Sequence, residues 1–184
     1  MQRELVERAA KGDQAAFGAL ASGASDRLYA VAYRILRDQY LAEDALQQTL
    51  ISIWNELPRL RDVERFDAWS YRLIVRASLA EARRERKVPS MPLLPGDADR
   101  SVAPDEFHVV ADRDQLERGF RQLTAEQRAI LVLQHFAGLS LAEIAEVLGI
   151  PVGTAGSRLH YASRALRAAL EADSRNVSAK ERLA

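Results

Sequence analysis

Side chains able to do bond chemistry are few and scattered in this sequence. The three histidines, His108, His135 and His160, lie on separate stretches, too far apart for a ligand pair on one helix face. There is no cysteine, which excludes thiolate metal sites and disulfides and fits a reducing compartment. No phosphate-cradling Gly-Lys loop, nucleophile elbow or Gly-x-Gly fingerprint occurs. His135 falls in an apolar helical pattern and reads as a partly buried structural residue, not a base. No catalytic residue, metal site, cofactor or small-molecule substrate is expected. The chemistry left is recognition by arginine, which binds phosphates and base edges through a rigid fork of donors.

That chemistry is concentrated between Leu139 and Leu170. Ser140 and Glu143 form a capping-box pair, serine at the N-cap and glutamate three residues on. Leu141, Ile144, Ala145 and Leu148 follow at helical spacing. Gly149 suits a left-handed stop and Pro151 a restart. Ala155, Leu159, Ala162, Leu166 and Leu170 make the buried stripe of a second helix. Ser157, His160, Tyr161 and Arg164 fall opposite, flanked by Arg158 and Arg167. From Pro151 to Leu170 the charged residues are Arg158, Arg164 and Arg167 with no acid, a local +3. A short helix, a glycine turn and a basic second helix match the helix-turn-helix pattern of DNA readers. An ordinary helical hairpin with solvated arginines is the plain alternative. Ala145 and the Gly149 turn weigh against it, because they let the two helices approach closely.

Composition narrows the class. The 184 residues suffice for one large core or two small ones. Lys plus Arg (26) equals Asp plus Glu (26), so only local charge argues for nucleic acid. The N-terminus lacks an apolar signal core, and no run approaches the roughly 20 apolar residues of a membrane span. A soluble, cytoplasmic protein without membrane insertion is expected. Apolar residues recur every three or four positions nearly throughout, which predicts an all-α fold.

In chain order, Leu5, Val6 and Ala9 share one helical face, Gly12 interrupts, and Asp13 suits an N-cap. Gly23 and Ser25 predict a break before a helix lined by Leu28, Val31, Ala32, Ile35 and Leu36. A further helix, about Leu41 to Leu57, turns Ala45, Leu46, Thr49, Leu50, Ile53 and Leu57 inward. Its exposed side is acidic and amide-rich. Asp38, Glu43, Asp44 and Glu56, with no base between Asp38 and Leu57, give −4. The first-turn acids also suit the helix dipole, and Trp54 suits either core or contact surface. Arg59, Arg61 and Arg65 occupy a loop. A helix from Phe66 to about Lys87 buries Phe66, Trp69, Leu73, Ala77 and Ala80 and ends in a basic run, Arg83 to Lys87. Those cations and the rings Phe66, Trp69 and Tyr71 resemble a single-strand platform, unless the rings are core.

Residues 88–106 hold Pro89, Pro92, Pro95, Pro104 and Gly96, a composition that sustains neither helix nor core. So long a loop is uncommon inside one compact domain. Two small helical domains are therefore expected, 1–87 and 107–172, joined by a flexible Pro-rich linker and followed by a frayed polar tail, 173–184. In the second, Val110, Leu116 and Phe120 mark a helix that breaks at Leu123. Thr124 and Gln127 make another capping box, and Gly138 ends the helix it opens.

Two motif sets in this order resemble the extracytoplasmic-function (ECF) sigma factors of the sigma-70 family, over most of residues 10–170. Tyr33-Arg34-Ile35-Leu36-Arg37-Asp38, Ala42-Glu43-Asp44-Ala45, Gln47 and Trp54 look like the family's core-polymerase-binding segment. Trp69-Ser70-Tyr71-Arg72-Leu73-Ile74 and Arg83 to Lys87 resemble its −10 segment. Leu123-Thr124, Gln127-Arg128, Leu139-Ser140-Leu141-Ala142-Glu143-Ile144-Ala145 and Leu148-Gly149 are similar to region four. Gly153-Thr154, Ser157-Arg158-Leu159, Ala162 and Leu166-Arg167 continue it. The resemblance implies a helical region-two bundle and a region-four helix-turn-helix, with core RNA polymerase, promoter DNA and an anti-sigma factor as partners. It implies core contacts by Asp38, Glu43, Asp44, Gln47, Gln48 and Trp54. It implies −10 contacts by Leu60, Arg61, Arg65, Trp69, Tyr71, Arg72, Arg76, Arg83 and Arg84. At −35 it implies Thr154, Ser157, Arg158, His160, Tyr161, Arg164 and Arg167.

The sequence departs from the family in places. Leu60 stands where an aromatic residue is common, and Arg76 where asparagine is common. Ala155-Gly156 replaces a usual Val-Lys, removing a phosphate contact, and Tyr161 stands where an arginine is usual. Two other functions fit the same residues: a stand-alone helix-turn-helix regulator, or a sigma mimic that sequesters an anti-sigma factor. A partner that clamps the two domains together is expected to switch the protein off.

Overall fold

The computed structural model describes residues 2–87 and 107–181, with side chains for 2–86 and 114–175. Residues 88–106, the expected linker, lie outside them. The described residues form eight α-helices and no strand. The first half holds α1 (Gln2–Ala10), α2 (Gln14–Leu36), α3 (Gln39–Glu56) and α4 (Phe66–Lys87), with short 3-10 turns at Leu57–Arg59 and Val63–Arg65. The second holds α5 (Phe107–Arg121), α6 (Ala125–His135), α7 (Leu141–Leu148) and α8 (Val152–Glu181).

Helix α2 is the axis of the first half, packed by α1, α3 and α4. It runs unbroken through Gly23 and Ser25, against the break read from sequence. The reason is a continuous stripe: Ala16, Leu20, Ala24, Leu28, Val31 and Ile35 are all buried at helical spacing. Ser25 caps nothing; its hydroxyl donates to the Ala21 carbonyl one turn back (2.7 Å). Asp13 is the N-cap, its carboxylate accepting from the Ala16 amide (3.0 Å) and pairing with Arg8 (2.8 Å). Ile53, Leu57, Phe66 and Ile74 complete this core. Ala80, expected inside, is exposed.

In the second half α8 packs on α5, α6 and α7. Both capping boxes form, Thr124 with Gln127 and Ser140 with Glu143, and Gly149 adopts φ 65° as the C-cap of α7. At Gly119 a Cβ would lie 2.9 Å from Leu170 Cδ2 and 3.2 Å from Leu166 Cδ1, so α5 and α8 cross there because the residue has no side chain.

One expectation about organisation fails. The tail does not fray at 173, since α8 continues to Glu181. Arg118 holds Asp173 by paired hydrogen bonds (2.9 and 3.0 Å), and Gln115 reaches Ser174 (2.6 Å). The two helical halves also touch, α2 against α6 and α4 against α7. His135, expected to be partly buried, is exposed at the end of α6.

Candidate nucleic-acid interface

Three surfaces carry the residues singled out from sequence. On α3, Ala42, Ala45, Thr49 and Ile53 are buried, leaving Glu43, Asp44, Gln47, Gln48 and Trp54 on the exposed side. Asp38 is the N-cap, its carboxylate accepting from the Leu41 amide (2.9 Å), so it starts the helix more than it faces outward. Trp54 is 38% exposed and rests edge-on against Phe17 (4.8 Å between centroids). Tyr40 and Ile51 escaped notice in the sequence. They are 78% and 50% exposed, and Tyr40, Asp44, Gln47, Ile51 and Trp54 follow one row at steps of four and three. The available signal was an apolar residue off the buried stripe. This row mixes aromatic, aliphatic and acidic groups, the composition of a protein contact.

The second surface is α4 with the loop before it. Arg61, Arg65, Arg72, Arg76, Arg83 and Arg84 are exposed, while Leu60 and Trp69 are half-buried. Arg72, Arg76 and Arg83 share one helix row with Trp69, which leans on Phe66 (6.0 Å). Two of these cations are already engaged. Arg84 pairs with Glu81 (2.7 Å), and Arg65 pairs with Glu146 of α7 in the other half. Tyr71, expected on an exposed platform, is buried. Its ring lies 5.0 Å beneath the Arg27 guanidinium, so it supports the surface from below.

Arg27 also ties α4 to α2, donating to Asp67 (2.7 Å), which takes a second hydrogen bond from Gln2 (2.8 Å). Burial alone pushes the Asp67 carboxyl up, but Arg27 and Gln2 outweigh it and hold the group below its ordinary value. The resulting stabilisation is full above the unfolded carboxyl pKa of about 3.9 and is lost as pH falls through the lower folded value. Asp67→Asn therefore costs about 0.5–1 kcal/mol at pH 7, discounted for partial exposure. Urea unfolding at pH 7, 4 and 3 checks this: the gap between variant and wild type closes at the acid end.

The third surface is the face of α8 opposite buried Ala155, Ala162 and Ala169. Ser157, Arg158, His160, Tyr161, Arg164 and Arg167 are exposed and Thr154 is half-buried. Tyr161 is 63% exposed with its ring edge to face against His160 (5.7 Å). The Ser157 hydroxyl donates to the Thr154 carbonyl (3.0 Å), leaving its lone pairs outward. A hydroxyl, an imidazole, a phenol and three guanidiniums on one helix row can read base edges and hold phosphates. At Gly156 a Cβ would meet Leu141 Cδ2 at 3.5 Å, ordinary contact. Packing does not demand the glycine, so Gly156→Ala stabilises the fold by about 0.5–1 kcal/mol, read as a higher thermal midpoint.

Among the described residues no His, Asp or Glu cluster could hold a metal ion, and no helix is long and apolar enough to cross a membrane. Comparison with known proteins adds the following. Residues 22–88 match Sigma-70 region 2, and residues 113–166 match Sigma-70, region 4. The chain is 36% identical over 172 residues to the ECF RNA polymerase sigma factor SigL of Mycobacterium tuberculosis, covering 90% of this chain and 95% of that one. It is 28% identical over 185 residues to SigW of Bacillus subtilis, at 91% and 95% coverage. Among solved structures it is similar to CnrH in complex with the cytosolic domain of CnrY, with TM-score 0.64, 26% identity and 94% and 98% coverage. The sigma factor RpoE bound to the anti-sigma factor NepR, from Bartonella quintana, shares the fold, with TM-score 0.58, 22% identity and 80% and 92% coverage.

Proposed function

This chain belongs to the ECF sigma factors of the sigma-70 family, and from that premise we propose how its residues divide the work of promoter recognition. It binds core RNA polymerase and directs initiation at specific promoters. The α3 row of Tyr40, Asp44, Gln47, Ile51 and Trp54, with Glu43 and Gln48, docks on polymerase. Its acids set register and rate more than affinity, and its apolar groups supply the buried contact. Arg61, Arg65, Arg72, Arg76, Arg83 and Arg84 hold the −10 phosphates, while Trp69 and Leu60 meet an unstacked base. The exposed face of α8 enters the major groove at −35, where Ser157, His160, Tyr161 and Arg164 meet base edges. Arg158, Arg167 and Thr154 contact edges or phosphates.

The observation that carries this reading is the exposed, acid-free row on α8, following in the same chain an acidic-aromatic row on α3 and a basic row on α4. A lone helix-turn-helix regulator has no use for the first two rows. A mimic that reads no DNA has no use for the third. The chain works in the cytoplasm, makes and breaks no covalent bond, and needs no cofactor. CnrH, its similar of known structure, is complexed with CnrY, and an anti-sigma factor is the corresponding partner proposed here. Purified chain and core polymerase are expected to transcribe from a matched promoter that core alone ignores. Failure to form a stable complex with core would sink the reading.

A further inference from the structure

The exposed face of α8 changes chemistry along its length. From Val152 to Tyr161 the sequence holds a single charge, Arg158, and Arg164 and Arg167 come after. Arg158 lies three residues after buried Ala155 and four before buried Ala162, so it borders the buried stripe at the edge of the face. Tyr161 is placed differently. It lies four residues after Ser157 and three before Arg164, both exposed, so it belongs to the open row. That row has no cation before Arg164. The Tyr161 ring is 63% exposed and is met from one side by His160, edge to face at 5.7 Å. Among the described residues no guanidinium lies over it, whereas Arg27 covers Tyr71 at 5.0 Å. Nothing lies within 4 Å of a Cβ added at Gly153, so the row is also open at its start.

The base pairs differ in what they show such a row in the major groove. Guanine offers two acceptors that an arginine or lysine grips at once, and thymine alone offers a methyl group. The first turns of a recognition helix are the part that reaches base edges. In α8 those turns present a hydroxyl at Ser157, an imidazole at His160 and the flat, largely apolar ring of Tyr161. A phenol ring has no pair of donors with which to grip guanine, but its face suits a methyl group. The edge of His160 against the ring limits the orientations the ring can take, which lowers the entropy lost when it packs on a base.

We propose that Tyr161 makes α8 a thymine reader: its ring packs on the C5-methyl group of one thymine in the −35 element, and His160 positions the ring. One base of the promoter is then specified by an apolar contact and not by a bidentate hydrogen-bonded pair. The inference rests on the placement of α8 at −35 proposed above and adds the identity of a base to it.

The test uses the full chain assembled with core polymerase, and a pool of duplexes made from a matched promoter by randomising its −35 element. Wild type is expected to enrich thymine at one position of one strand. Tyr161→Phe should keep that preference, Tyr161→Ala should flatten it while the other positions hold, and Tyr161→Arg should move it to guanine. A second measurement isolates the methyl group. Deoxyuridine in place of that thymine removes the methyl and keeps the base pair. Wild type should then bind about three- to fivefold more weakly, the worth of one buried carbon, and Tyr161→Ala should show no change. Because Tyr161 is exposed, thermal unfolding of its variants should match wild type. A −35 preference that survives Tyr161→Ala at every position would overturn the thymine contact and leave the sigma-factor function standing. So would a Tyr161-dependent position that prefers another base, or a deoxyuridine effect equal in wild type and Tyr161→Ala. A chain that forms no complex with core, or a holoenzyme that selects no −35 sequence, would overturn the proposed function and the thymine contact together.

Discussion

Arg158→Ala with Arg164→Ala lowers transcription from a promoter that depends on its −35 element by about a hundredfold, and leaves the chain folded. Both side chains are exposed on α8 and neither packs in the core, so thermal unfolding should not move. Each bidentate contact to a base edge is worth about 1–3 kcal/mol, and phosphate contacts add a salt-dependent share. Two lost contacts therefore cost on the order of a hundredfold in occupancy. Gel-shift titration of the holoenzyme and multiple-round transcription check both halves of the expectation. On a promoter whose strength lies in its −10 element, the same variant should lose little. Under the proposed reading, Gly156 offers no cation on this face, so the remaining arginines are expected to carry more of the −35 affinity.

Glu43→Arg with Asp44→Arg abolishes the complex with core polymerase at concentrations where wild type is saturated, a loss of at least about a hundredfold, or ~2.7 kcal/mol. Both residues are exposed on α3, opposite the buried Ala42, Ala45, Thr49 and Ile53. Exposed substitutions of this kind usually stay within about 0.5 kcal/mol of wild-type stability. Apposing like charges across an interface costs several kcal/mol, far more than removing them. Analytical ultracentrifugation with purified core checks the loss. Neutral Glu43→Gln with Asp44→Asn should have a much smaller effect, concentrated in the association rate.

The sequence exposed periodicity, caps and local charge, and those carried most of the fold. Thr124, Gln127, Ser140, Glu143 and Gly149 announced the second half's helix ends because each cap is a contact within a few residues. The unbroken α2 was illegible because Gly23 and Ser25 argue locally for a turn, and only the tertiary stripe from Ala16 to Ile35 overrides them. Local sequence leaves Tyr71 open between surface platform and core, and only its tertiary burial beneath Arg27 decides for core. Contacts between the halves were the least visible feature. Arg34 and Arg65 look like solvated arginines in sequence, since their partners Phe136 and Glu146 lie up to 102 residues away, counting from Arg34 to Phe136. Tyr40 and Ile51 were missed for a simpler reason: an apolar residue in a helix is assigned to the core by default.

The proposed function is a two-point grip, α4 at −10 and α8 at −35. A tethered cleavage reagent tests it most directly, and the absence of native cysteine makes labelling specific. Ala80→Cys puts the reagent on the exposed side of α4. Gly153→Cys puts it at the start of α8, where an added Cβ meets nothing within 4 Å. In holoenzyme bound to a promoter, the first label should cut around −10 and the second around −35. Cleavage by both labels at one element, or by neither, would contradict the two-point grip.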